Sequence, residues 1–435
     1  MPIQNLEKRM VMRWKASHHD LKSNGIRVYY FYDSGGTTHI CGVGYRVGSI
    51  HDPVGVPHLV EHILFRGKPQ DAESDPIYNM IFRYFGGMEN HNIFTTWDCT
   101  YYGGPGLYRR SHIHEVLPII VSALRDRYLG RLGLSIEKTV INNEYRQTDL
   151  DNPNSQLSEA FYQTMYETNP VRNPIIGYIE QLKKVRVTDV KRFIERHYVA
   201  ENMFVIVVGP KREEAIAIAK KYLDDWPHKG SPVKLDLDSF DRLPRHTVPR
   251  IRETTKVGLA QNYVMVGYSS CCHNSRDDAA VDLIERIIER RLYDSIREKS
   301  RNFKDGTYHN PTFTERSLAH GVIGAWFATA SQDFAKYGRD AIVAEFRKLR
   351  EELVPGEMLD GARDSLREGF FSSFRDTPEE VVEMVIAAAS GGDPDLKMLH
   401  SYPERLKKLT PIKIREIANN YFDPNGFTAV TISPA

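Results

Sequence analysis

Residues 180–210 read EQLKKVRVTDVKRFIERHYVAENMFVIVVGP, and residues 404–434 read ERLKKLTPIKIREIANNYFDPNGFTAVTISP. The two stretches align without a gap at an offset of 224. Leu182, Lys183 and Lys184 fall on Leu406, Lys407 and Lys408; Val190 falls on Ile414; Tyr198 falls on Phe422. Each reads as a polar–apolar helix, a turn carrying Asn, and a buried strand. At the same offset His58-Leu-Val-Glu-His-Ile-Leu64 lies over Asp282-Leu-Ile-Glu-Arg-Ile-Ile288, and Val43-Gly-Tyr45 lies over Val266-Gly-Tyr268 one residue off. Three nearly collinear matches describe an internal duplication. The expected division is a first copy over 1–225, a Pro-, Lys- and Asp-rich linker over 226–249, and a second copy over 250–435.

Within the first copy, strands are expected at about 26–33, 38–47, 96–102 and 203–209, and helices at 112–127, 135–149, 155–166 and 187–197. The second copy repeats the strands at about 259–268, 310–314, 320–328 and 427–433. Hairpin-like strands separated by long helical runs predict an α+β fold: two homologous domains, each a mixed, largely antiparallel sheet with helices packed on one face. No Gly-rich phosphate loop follows a strand.

The chain has 435 residues, 41% hydrophobic and 26% charged, enough to build two cores. Lys and Arg number 58 against 57 Asp and Glu, a net charge of +1 that offers no electrostatic footprint for nucleic acid or a membrane surface. The longest apolar runs, such as Met203–Val208, are of strand length, far short of the ~18 residues of a membrane span. The first residues lack the apolar core of an export signal. Four scattered cysteines suit neither a disulfide framework nor a Cys-based metal site. A cytoplasmic protein is expected.

The first copy carries a metal-site pattern that the second has lost. His58, Glu61 and His62 lie in a run expected to be helical from Val56 to a stop at Gly67. On a helix His58 and His62 are ~40° apart, with Glu61 about 60° to the other side of His58. Two imidazoles one turn apart can share a zinc ion, and a carboxylate on the same face can reach the water it binds. In the second copy the ligand positions become Asp282 and Arg286 while the apolar positions persist. Zinc needs a third protein ligand. The helix from about Ser135 offers Glu137 and Glu144, ~20° apart on a face shared with Val140 and Ile141. Carboxylates on a buried apolar stripe are costly unless a cation neutralises them.

With these residues in hand, the chain resembles the M16 inverzincin family of pitrilysin-type zinc peptidases, in its half-sized subfamily related to the mitochondrial processing peptidase. The resemblance runs from Gly48-Ser49 and Gly55–Gly67, through Glu137 and Glu144, to Asn202–Gly209, and in the second half takes in Arg291–Lys299 and Tyr421–Gly426. It implies that His58, His62 and Glu144 bind Zn2+, that Glu61 is the general base, and that Glu137 orients the site. It also gives the stretch from Gly86-Gly87 to Tyr102 to an edge strand that pairs with the substrate main chain, with Asn92 chosen over Asn90 and with Phe94 beside it. Two residues more than usual follow the glycines, and Ile93 stands where the family has Ala. The family places an Arg and a Tyr opposite the zinc. Arg297 and Tyr308 fill those roles here, with Arg301 as the alternative, since the spacing is about four residues longer than usual.

The function implied is a zinc-dependent endopeptidase that hydrolyses peptides inside a dimeric clamshell. A homodimer is self-consistent because one sequence carries both halves of the site; a heterodimer with a zinc-free sister chain is the other arrangement. Two further classes stand beside it: a processing peptidase dedicated to one precursor or leader peptide, and a non-catalytic scaffold of the same fold, which would ordinarily lack the intact His-x-x-Glu-His.

Overall fold

The computed structural model describes residues 17–31, 39–66, 92–106, 112–125, 129–150, 152–209, 212–227, 234–299 and 312–435. Gly86, Gly87, Asn90, Arg301 and Tyr308 lie outside the described residues. Among the described residues no helix is long and apolar enough to cross a membrane.

The repeated stretch folds twice in the same way. Helix Val187–His197 buries Val190, Phe193 and Ile194 and leads into an all-buried strand, Met203–Val208. Helix Pro411–Tyr421 buries Ile414, Ile417 and Ala418 and leads into strand Thr428–Pro434. The caps differ: the Asp189 carboxylate accepts from the Arg186 amide at 2.9 Å, whereas the Thr410 hydroxyl accepts from the Lys413 amide at 3.2 Å.

The first sheet comprises β1 (Ser17–Asp20), β2 (Arg27–Phe31), β3 (His39–Tyr45), β4 (Asn92–Thr95), β5 (Thr100–Gly106) and β6 (Met203–Val208), in the order β1-β2-β6-β3-β5-β4. The second comprises β7 (Arg250–Lys256), β8 (Asn262–Ser269), β9 (Thr312–Arg316), β10 (Gly321–Thr329) and β11 (Thr428–Pro434), in the order β7-β11-β8-β10-β9. Without β1 the two orders correspond strand for strand. In each the outer pair, β2 with β6 or β7 with β11, is parallel and the remaining pairs are antiparallel. Three strands depart from the sequence reading. β1 and β7 are short or polar edge strands whose sequences, SHHD and RIRETTK, carry no apolar alternation. The strand expected over 96–102 is instead a hairpin: the Thr96 amide donates to the Cys99 carbonyl at 2.7 Å, closing a turn between β4 and β5.

The chain separates into two compact units that are not successive stretches. The first is Met1–Asn143, Pro174–Leu235 and Phe370–His400; the second is Glu144–Asn173, Asp236–Gly369 and Ser401–Ala435. The division expected at 226–249 is therefore interrupted by two exchanged segments. The reason lies in packing. Tyr29, Ile40, Tyr101, Phe204 and Ile206 form one apolar face of the first sheet, and Val381, Val382, Val385 and Ile386 of helix Pro378–Ser390 cluster on it. In the second unit helix Pro153–Met165 packs against β7, β8 and β11, with Phe161 over Gly267. The exchanged helices begin 225 residues apart, at equivalent places in the repeat. Each half's own helices thus cover one sheet face, as the sequence implied, and the helix from the other half covers the opposite face.

Candidate metal centre

Helix Val56–Arg66 is placed by a backbone contact that only glycine permits. Gly55 has φ +95°, and a Cβ there would lie 2.5 Å from the Ile176 carbonyl oxygen; one on Gly177, φ +77°, would lie 2.2 Å from that of Val54. The helix start therefore sits directly against the 174–178 turn. Leu59, Val60, Ile63 and Leu64 are buried beneath it, and His58 and Glu61 are buried with them. The His58 and His62 rings meet edge to face, with centroids 4.7 Å apart.

Helix Arg131–Tyr145 buries Gly133, Leu134, Glu137 and Ile141. Its Lys138 Nζ donates to the Lys183 carbonyl at 2.9 Å and ties it to the loop before Val187–His197. The buried stripe centres on Glu137 and Ile141. Val140, expected on it, is 42% exposed, because it falls beyond the stripe's edge, past the half-buried Glu144. The boundary between the units cuts the last turn of this helix, so Glu144 rides on an element whose body belongs to the first unit.

These two helices bring the residues together. One donor atom each from His58, His62 and Glu144 lies within 4.8 Å of the others. Two imidazoles and a carboxylate form a donor set that suits tetrahedral zinc. Glu137 stands behind: its Oε2 is 3.2 Å from His62 Nδ1. A carboxylate there fixes the tautomer and ring orientation of a ligating histidine. Glu61, 7% exposed, accepts a hydrogen bond at its Oε2 from the Thr95 hydroxyl at 2.6 Å. Thr95 is the residue that sequence reasoning missed. At the 224-residue offset it lies over Ala319, so the repeat did not single it out; strand register shows that Thr314 is its equivalent.

The other expected residues fare differently. Asn92 and Phe94 lie on β4, the edge of the first sheet, paired to Gly103 and Tyr101 of β5. The Phe94 ring, however, packs on Tyr101 at 5.6 Å between centroids, in the cluster under helix Pro378–Ser390. By strand alternation that is the face away from Thr95 and Glu61. Arg297 lies on the wide helical turn Tyr293–Glu298, its guanidinium 5.0 Å over the Tyr293 ring.

In the second copy the place of the metal group is taken by ion pairs. Asp282 accepts from Arg316 Nη2 at 2.6 Å and from the Tyr402 hydroxyl at 2.8 Å, one turn from the Asp278–Arg405 pair. Arg286 pairs with Glu289 on the surface. Glu285 keeps the base position; burial pushes its carboxyl up, with Thr314 beside it opposing.

The fold and the site together define a duplicated α+β protein in which, among the described residues, one group of two histidines and a glutamate could hold a metal ion. A family model described as the Peptidase M16 inactive domain matches residues 184–366. The zinc protease PqqE of Helicobacter pylori is 22% identical over 399 residues, covering 90% of this chain and 86% of that protein. The mitochondrial-processing peptidase subunit beta of Saccharomyces cerevisiae is 24% identical over 54% of this chain and 52% of its own. The crystal structure of a protease from Helicobacter pylori shares the fold with TM-score 0.84 at 21% identity, covering 97% of this chain and all of that one. These comparisons support an M16-family protein similar to the mitochondrial-processing peptidases.

Proposed function

We propose that the chain is a zinc-dependent endopeptidase. The observation that carries this reading is the meeting of His58, His62 and Glu144 with Glu61 buried on the same helix. A zinc ion held by those three residues would supply a Lewis acid and lower the pKa of a bound water toward ~7. The remaining work falls to side chains. Glu61 takes a proton from the water and returns it to the leaving amine. Glu137 holds the His62 ring. The outer edge of β4, the strand that carries Asn92 and Phe94, offers main-chain groups to an extended peptide. Arg297 and Tyr308, supplied by the second copy of a partner chain, act as donors to the developing oxyanion in a homodimer. The four cysteines are buried free thiols, which supports a reducing, cytoplasmic setting.

The family model of the inactive domain is compatible with this activity. Its match, 184–366, contains Asp282 and Arg286 and leaves out His58, His62 and Glu144. A second reading, a processor dedicated to one precursor and paired with a zinc-free sister chain, is favoured by the relative named as a processing-peptidase subunit. Both are tested by zinc analysis of the purified protein alongside cleavage of a mixed peptide library. Zinc near one per chain, with cleavage across the library that a chelator stops and zinc restores, is expected. A zinc-loaded protein that leaves the library intact would transfer the case to the dedicated processor. A protein that takes up no zinc would end both readings.

A further inference from the structure

We infer that Thr95 is the positioning residue of the base: its hydroxyl, through Oε2, holds the Glu61 carboxylate in the orientation that serves the water. This rests on the peptidase reading above. The contact is short, 2.6 Å from Thr95 Oγ1 to Glu61 Oε2, and both residues are more than nine-tenths buried. Hydrogen bonds to an ionised acceptor are stronger and shorter than neutral ones, and an oxygen occupied by one donor is removed from competition for water.

Both ends of the bond are anchored. Thr95 is the last residue of β4, and the turn after it is bound to the segment that leads into the Glu61 helix. The Ser49 amide donates to the Thr96 carbonyl at 3.0 Å, the Ile50 amide to the Trp97 carbonyl at 3.1 Å, and the Thr100 hydroxyl to the Val47 carbonyl at 2.9 Å. A Cβ on Gly48 would lie 2.3 Å from the Thr96 carbonyl oxygen, so the two segments touch backbone to backbone. A hydroxyl held this way limits the rotamers of Glu61 instead of following them.

The second copy supplies a matched comparison. Phe313 pairs with Gly324 as Phe94 pairs with Tyr101, which puts Thr314 in the register of Thr95, and Thr314 lies beside Glu285. The same two residue types thus stand side by side where both histidines are gone, but there the Thr314 hydroxyl makes no hydrogen bond among the described residues. The juxtaposition belongs to the duplicated scaffold, and the first copy has put it to use.

The test compares Thr95→Val, Thr95→Ser and Thr314→Val in the full-length zinc-loaded protein. Thr95→Val, which keeps the shape and loses the donor, should lower kcat by ~10–100-fold while KM stays within about twofold and zinc affinity is unchanged. Thr95→Ser should restore most of kcat, and Thr314→Val should leave it at the wild-type level. In the metal-free protein, urea midpoints of Thr95→Val, Glu61→Ala and the double variant should show losses that are less than additive, because the two single changes remove one shared bond. A wild-type kcat in Thr95→Val, a serine variant as slow as the valine one, loss of zinc with the hydroxyl, or strictly additive midpoints would each overturn the inference. If Thr95→Val does not fold, Thr95→Ala takes its place under the same criteria. A wild-type protein without zinc-dependent cleavage would instead defeat the peptidase reading itself.

Discussion

His62 turns Nδ1 toward the buried Glu137 carboxylate, 3.2 Å away, and so keeps Nε2 as the nitrogen that can face a metal. The two glutamates of one helix therefore have separate tasks, and substitution separates them. Glu144→Gln should lose zinc, because it removes a charged ligand. Glu137→Gln should weaken zinc by only ~10–100-fold, because an amide still reaches the ring. Competition with a chromogenic chelator reads both, and the reverse ranking would exchange the roles.

Glu61→Gln should keep zinc and lose cleavage by ~10³-fold or more, since it removes the proton acceptor and no ligand. Tyr308→Phe should cost ~10²–10³-fold through loss of an oxyanion donor. Mixing the two inactive proteins should form dimers with one complete site, and activity should recover toward about a quarter of wild type for random exchange. A mixture that exchanges subunits yet stays inactive would rule out completion of the site by the partner.

The acid limb of stability should depend on His320. It is fully buried, its Nδ1 lies 2.7 Å from the Ser317 hydroxyl, and burial, aided by neighbouring His273, lowers its pKa to about 3. The unfolded chain takes up this proton near pH 6.5 and the folded one refuses it, so stability falls with falling pH across that window, by up to ~1.4 kcal/mol per unit. Replacing His320 with Gln should flatten the dependence by about one proton. Urea unfolding of the metal-free protein at pH 7.5, 6 and 5 reads the slope, and parallel slopes would assign the acid limb to other groups.

Gly55 and Gly258 both have left-handed backbones, at φ +95° and +86°, but only Gly55 faces backbone where a side chain would go. Gly258→Ala should cost about 1–2 kcal/mol, the conformational term alone. Gly55→Ala should cost more and should also weaken zinc, because the helix that carries both histidines must shift. Equal losses at the two positions, with zinc affinity intact, would mean that the 174–178 turn yields without moving that helix.

Much of this architecture was legible in the sequence because it was written there twice. The helix–turn–strand units ending at Val208 and Pro434 follow directly from the 224-residue offset, and the five-strand order repeats with them. His58 and His62 share a helix face as their spacing implied, and Glu144, the ligand the family resemblance pointed to, lies near them. Val140 was misplaced because a 20° argument ignores how wide the buried stripe is. Thr95 was missed because its partner is 34 residues away and no local periodicity links a strand end to a helix face. β7 went unread because Arg250, Arg252, Glu253 and Lys256 give an edge strand the look of a linker. The exchange of Pro153–Met165 and Pro378–Ser390 was invisible, since an amphipathic helix states that it needs an apolar face and does not state whose.

That exchange governs how the protein can be made. A ribosome releases β1 to β6 while helix Pro378–Ser390 is still some 170 codons away, so the Phe204–Ile206 face must wait uncovered through that part of synthesis. Helix Pro153–Met165 waits in the opposite sense, emerging about a hundred residues before the sheet it covers. Neither half of the gene encodes a finished core. A split after residue 225 would yield two fragments, each lacking one layer and each holding the other's missing helix, able to fold only when both are present. The duplication has become irreversible: two copies that began as equals can no longer be inherited apart.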